Sequence, residues 1–302
     1  LTISNKTLIV IAGPTASGKT DLAIKLANNL CCPIISADSR QIFKELNIGV
    51  ARPSVFELSQ ADHYFIASHS ISQEFNAGIY EKEALNILQT IFTQNQYAIV
   101  CGGTGLYIQA LLFGLDDLPE ANLLLRKELI ANFSEHGIKY LQERLQKISP
   151  EFYDSCEKNN PQRLMRAIEI IEATINPKDI VSKNLTRDFK HIGIYLNPAR
   201  EDLYLKINLR VDKMIKEGLE SEVKSLYEFK NTNAMQTVGY KEWIDYFEGR
   251  QKKEEVIEKI KQHTRNYAKR QVTWFKNKTD FMEMENSTKA SDWILETLQE
   301  NG

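Results

Sequence analysis

Gly13-Pro14-Thr15-Ala16-Ser17-Gly18-Lys19-Thr20 fits the pattern G-x-x-x-x-G-K-[ST] in full. Such a loop turns successive backbone N–H groups toward an anion, while the lysine adds a point charge and the hydroxyl a ligand for Mg²⁺. Asp38 is the second candidate. It follows the apolar run Pro33-Ile34-Ile35-Ser36-Ala37 and precedes Ser39-Arg40-Gln41. At the carboxyl end of a strand it would face whatever the loop holds, within reach of a nucleophile's proton. A second acid that could hold Mg²⁺, as in ordinary P-loop nucleotide hydrolases, has no place in the next strand. That strand, Tyr97-Ala98-Ile99-Val100-Cys101, ends in Gly102-Gly103-Thr104-Gly105. Asn277-Lys278-Thr279-Asp280 spells a guanine-recognition pattern but follows a basic helical stretch rather than a strand, and we read it as coincidence.

The elements that must position these residues can be read from their apolar spacing. Leu8-Ile9-Val10-Ile11 is a continuous apolar run, as in a parallel strand buried on both faces. Leu22, Leu26 and Leu30 then recur at helical spacing, with Ala23 and Ala27 widening the stripe. A helix through Ala84, Leu88 and Ile91 feeds the Tyr97 strand, and another runs from Gly105 to Gly114. From residue 115 to about 190 the composition turns polar and helical before an apolar run, His191 to Leu196, resumes. The fold expected is α/β: a P-loop NTPase-like parallel sheet core flanked by helices (1–114 and 191–302), with an α-helical insertion at 115–190.

Within the insertion, Asn160 and Pro161 read as N-cap and first helical residue. Leu164, Ile168, Ile171 and Ile175 form the buried stripe, and Gln162, Arg163 and Arg166 are left near the helix start. Asn176 to Lys190 is expected to be a mobile loop. Leu203, Ile207, Val211 and Met214 stripe a later helix that sets Arg210 off the core face. The window Lys259 to Lys278 carries seven Lys/Arg and no acid. Lys261, Arg265 and Lys269 share one helical face, and Ile260, Tyr267 and Trp274 another, which suits contact with a nucleic-acid backbone.

Composition narrows the classes. The 302 residues are 42% apolar and 26% charged, with a net charge of −2, so a nucleic-acid footprint must be local. No apolar run approaches the roughly 20 residues that span a bilayer. Cys31, Cys32, Cys101 and Cys156 form no C-x-x-C pair and read as reduced cytoplasmic thiols. His63 and His69, beside Asp62, lack the spacing of a zinc module.

Six motifs in order resemble tRNA dimethylallyltransferases of the bacterial type, the isopentenyl transferases that modify adenine 37. They are the glycine loop, Asp38-Ser39-Arg40-Gln41-Ile42-Phe43, Gly102-Gly103-Thr104-Gly105-Leu106-Tyr107, Gln162-Arg163-Leu164-Met165-Arg166, Gln236-Thr237-Val238-Gly239-Tyr240-Lys241, and Thr264-Arg265-Asn266-Tyr267-Ala268-Lys269-Arg270-Gln271. The resemblance implies transfer of a dimethylallyl group from dimethylallyl diphosphate to N6 of adenine 37, with diphosphate leaving. Gly13 to Thr20 and Arg210 would then bind diphosphate, Thr20 would carry Mg²⁺, and Lys19, Thr20 and Asp38 would serve catalysis. It also implies that Asp38, Ser39, Arg40, Gln41, Thr104 and Arg126 contact the RNA, and that Gln162, Arg163, Leu164, Met165 and Arg166 grip the anticodon loop. Nucleotide (ATP) binding is a property associated with the loop. A monomer is expected. Gly49-Val50-Ala51-Arg52-Pro53 departs from the family's usual G-T-A-K-P, and Thr237 replaces a common cysteine. The glycine loop alone would equally suit an ATP-dependent small-metabolite kinase, which leaves the helical insertion and the basic helix without a purpose.

Overall fold

The computed structural model describes residues 5–116, 119, 122–173 and 185–300. Among them six strands form one parallel sheet: β1 (Thr7–Ala12), β2 (Ile34–Ser36), β3 (His63–Tyr64), β4 (Tyr97–Gly102), β5 (Lys190–Leu196) and β6 (Met282–Met284). Their spatial order is β3-β2-β4-β1-β5-β6. β1 therefore lies between β4 and β5, with Ile9 opposite both Ile99 and Ile192. Leu8 to Ala12 have no exposed surface at all, which a strand covered on both faces requires. Ile9 and Ile11 pack with Leu22, Leu26 and Ala27 of helix Lys19–Leu30 and with Ala290 and Ile294 of helix Ser287–Glu300. Leu8 and Val10 alternate to the opposite face.

Because every strand is parallel, the carboxyl ends of β1, β2 and β4 open on the same edge. The chain leaves β1 for β2, then returns to place β4 between them. This is the crevice in which doubly wound sheets bind ligands.

The chain divides into two compact units, Leu1–Leu112 with Thr186–Gly302, and Phe113–Leu185. The first holds the sheet. The second is helical: Leu123–His136, Ile138–Ile148, Pro150–Ser155 and Pro161–Ala173 surround Leu125, Leu129, Leu141, Leu145, Leu164, Met165 and Ile168. These bounds differ from 115–190 at the return. Arg187 donates to the carbonyls of Leu111 and Ala110 and to Glu81, and β5 begins at Lys190, so the last residues of the expected loop belong to the sheet unit. Residues 176–184 of that loop lie outside the described residues, as does Ile175. On helix Pro161–Ala173 the buried residues are Leu164, Met165, Ala167, Ile168, Glu169 and Ile170, while Ile171 is half-buried.

Candidate active site

The glycine loop is shaped by its own backbone and by what lies behind it. Gly13 has φ 141°, and a Cβ there would meet the Leu196 carbonyl at 2.8 Å, so no side chain fits. Gly18, at φ 89°, turns the chain into helix Lys19–Leu30. Ala16 is buried among Leu203 and Ile207 of helix Arg200–Lys216 and Ala268 of helix Lys253–Lys278. That contact brings Arg210 to the loop, where its Nη1 lies 3.3 Å from Thr15 Oγ1. Burial holds the Arg210 guanidinium below its ordinary pKa, against the opposing pull of Glu57 and Asp21.

Lys19 folds over the loop, its Nζ 2.5 Å from the Pro14 carbonyl and 3.5 Å from Ser17 Oγ. Burial brings its pKa down from 10.5 to about 8, and Arg210 adds to the effect while Cys101 and Asp38 oppose it. An anion arriving beside this ammonium would favour its charged form and raise its pKa again.

Asp38 stands two residues beyond β2. Its Oδ1 accepts from the backbone N–H groups of Arg40 (2.9 Å) and Gln41 (3.2 Å), closing a turn. Thr104 supports the turn from β4's end: its N–H donates to Ala37 O and its Oγ1 accepts from Ser39 N, each at 3.0 Å. Tyr267 lies alongside, its hydroxyl pushed up to about 12 by burial and by Asp38. Gln41 Nε2 reaches the carbonyls of Val50 and Ala51, and Arg40 Nη1 reaches that of Asn233.

The loop and the aspartate turn line one cavity of about 1380 Å³, together with residues 47–55, Arg210, Lys213, Gln236 to Gly239, Lys241, Tyr267, Arg270 and Gln271. Among its lining residues are seven Lys/Arg and four Asp/Glu, in a chain whose net charge is −2. Such a walled, cationic space concentrates anionic ligands. Among the described residues no group of three His, Cys, Asp or Glu could cage a metal, and an ion held here at the Thr20 hydroxyl would draw most of its oxygens from a ligand and water. That donor set suits a hard cation such as Mg²⁺. No helix among the described residues is long and apolar enough to cross a membrane.

Several expected site residues are differently placed. Gly13, Pro14 and Thr104 do not line the cavity; they shape its wall. The Thr15 N–H is donated to Gln271 Oε1 (3.0 Å), and its hydroxyl accepts from Arg210. In the helical unit, Leu164 and Met165 are buried in the core and support their neighbours. Arg126 pairs through Nε and Nη2 with the buried Glu169 and through Nη1 with Gln162, while Arg166 reaches the Pro119 carbonyl and Arg163 pairs with Glu157. The basic stripe is also partly spent internally: Lys261 pairs with Asp212, and Arg265 donates to Asn208, leaving Lys269 and Arg270 exposed.

Two site-shaping residues escaped the sequence reading. Gln271 lies three residues after buried Ala268 and four before buried Phe275, a register in which a polar side chain must find partners. Glu222 accepts from the N–H groups of Asn47, Ile48 and Gly49 and from the Tyr240 hydroxyl, fixing the Gly49-to-Pro53 segment on the cavity wall. Nothing in the spacing around Glu222 announces that role.

A parallel sheet whose first strand runs into a glycine loop, with a lysine and arginine over the loop and a carboxylate across the cavity, defines an α/β enzyme of the P-loop-like class. The comparisons with known proteins narrow this. A sequence model of the IPP transferase family matches residues 41–278. The tRNA dimethylallyltransferase of Cytophaga hutchinsonii is 45% identical over 90% of each chain, and that of Flavobacterium johnsoniae 43% over 97% of this chain and 99% of its own. The solved tRNA isopentenylpyrophosphate transferase of Bacillus halodurans is 33% identical, with a TM-score of 0.72 over 98% of this chain and 97% of its own. A eukaryotic dimethylallyltransferase solved acting on tRNA is 25% identical, with a TM-score of 0.71 over 98% and 77%. The chain belongs to the IPP transferase family. It is a prenyl transferase, and the small-metabolite kinase is set aside.

Proposed function

We propose that this chain transfers the dimethylallyl group of dimethylallyl diphosphate to N6 of adenine 37 in tRNA. The observation that carries the reading is a cationic cavity that faces a glycine loop toward an aspartate turn. A donor's leaving group and an acceptor's proton are both provided for there.

In this reading the diphosphate lies on the loop, held by backbone N–H groups, Lys19 and Arg210. Attack by N6 forms the bond to the allylic carbon while the carbon–oxygen bond breaks, its electron pair leaving with the diphosphate. Lys19 and Arg210 gain interaction energy as negative charge gathers on those oxygens, which lowers the barrier rather than merely tightening binding. Mg²⁺, held on the protein side by the Thr20 hydroxyl, would supply further charge neutralisation to the diphosphate. Asp38 presents its carboxylate to the exocyclic amine and accepts its proton. One carboxylate oxygen already closes the turn, so the other serves the substrate. An adenine amine is a weak nucleophile, and orientation therefore outweighs base strength.

The adenine reacts outside its stack, extruded from the anticodon loop. Arg126, Gln162, Arg163 and Arg166 of the helical unit supply the grip on that loop, with Glu169 holding two of the arginines in place. Exposed Lys269 and Arg270 add phosphate contacts.

The test is transfer of label from dimethylallyl diphosphate, with Mg²⁺, into unmodified tRNA bearing adenines at 36 and 37. Label that enters the RNA and vanishes when adenine 37 is replaced supports the reading. No transfer, or transfer insensitive to that base, overturns it.

A further inference from the structure

We propose that Gln271 is a positioning residue that sets the separation between the diphosphate loop and the Asp38 carboxylate; the inference rests on the prenyl-transfer reading above. Gln271 projects from helix Lys253–Lys278 and is buried. Its Oε1 accepts the Thr15 N–H at 3.0 Å, and its Nε2 donates to the Gly103 carbonyl at 2.9 Å. The amide has one acceptor end and one donor end, and only this orientation satisfies both partners.

What lies beyond each contact gives the strut its meaning. Thr15 belongs to the loop proposed to hold the leaving group. Gly103 precedes Thr104, whose N–H and hydroxyl anchor Ala37 and Ser39 on either side of Asp38. The path from electrophile to base thus runs through one side chain, by way of Thr15, Gln271, Gly103, Thr104 and the Asp38 turn. Glycine loops ordinarily spend their N–H groups on the anion, and here one is diverted to hold the loop against its neighbour. The fit is close on the other side too, since a Cβ on Gly103 would fall 2.0 Å from Gln271 Nε2. Gln271 touches no reacting atom in this scheme. It acts by fixing the two groups that do.

Gln271→Met keeps the length and approximate volume but makes neither hydrogen bond. A displacement of about 1 Å in such a geometry costs on the order of 100-fold in rate. The measurement is single-turnover transfer with tRNA limiting and with enzyme and dimethylallyl diphosphate in saturating excess, which yields a rate constant and an amplitude separately. Positioning requires a rate constant reduced about 100-fold at full amplitude, with tRNA affinity within about threefold of wild type. An unchanged rate constant overturns the inference. Should the methionine variant fail to fold, Gly103→Ala displaces the same amide from the opposite side and is read identically. Wild-type transfer in the same assay reports on the functional reading, and the ratio of variant to wild type reports on Gln271 alone.

Discussion

Lys19 offers a thermodynamic signature that separates a diphosphate site from a glycine turn that binds nothing. In the free protein burial lowers its pKa from 10.5 to about 8. That displacement corresponds to roughly 3 kcal/mol of disfavoured charge. Between pH 8 and 10.5 the unfolded chain holds a proton that the folded chain has lost. Stability from this group therefore rises with pH across that window, and below pH 8 the full penalty is present. A bound diphosphate reverses the bias by pairing with the ammonium. Binding then takes up no proton at Lys19 near pH 7, where the group is already charged, and approaches one proton by pH 9. Affinity falls about tenfold per pH unit above pH 8, until the pKa of the bound state is passed. Titration calorimetry with inorganic diphosphate, in buffers of different ionisation enthalpy at pH 7 and pH 9, counts the protons directly. Lys19→Arg keeps a charge but does not titrate in this range, and the ionisation of diphosphate itself is common to both proteins, so the wild type should take up close to one proton more than the variant at pH 9 and no more at pH 7. Equal uptake by the two proteins at pH 9 would refute the assignment.

Asp38→Asn preserves the Oδ1 that closes the turn but removes the proton acceptor, so turnover should drop about 10²- to 10⁴-fold with tRNA affinity nearly intact. Asp38→Ala also loses the turn and should weaken tRNA binding as well; equal affinities of the two variants would count against a role for the turn. Glu222→Ala strips the acceptor from Ile48, Gly49 and Tyr240, and denaturant unfolding should show a loss of about 3 kcal/mol. Arg126→Ala leaves Glu169, whose side chain is 0% exposed, with only its longer ion pair to Arg166 among the described residues, and should destabilise the helical unit by about 3 kcal/mol. Faster hydrogen exchange confined to helices Leu123–His136 and Pro161–Ala173 would register it.

The parts of this molecule legible in its sequence are those governed by local physics. The strand through Leu8 to Ile11, the loop that follows, the Asn160-Pro161 helix start and the Leu203-to-Met214 stripe depend on near neighbours, and the structure has each where the spacing put it. Less legible was which polar residues are spent within the fold. Lys261 and Arg265 read as a face for nucleic acid, yet Asp212 and Asn208, more than 40 residues earlier, take them up. Arg126 finds Glu169 by the same long-range route. Gln271 lies between these cases. Its helical register marks it as a buried polar group in need of partners, but Thr15 and Gly103 lie 256 and 168 residues away. Spacing along a helix can therefore announce that a buried polar residue is bonded, while only the sheet order, which sets β4 beside β1, determines what it joins. In this chain that order turns a glutamine into a link between the loop for the leaving group and the turn for the base.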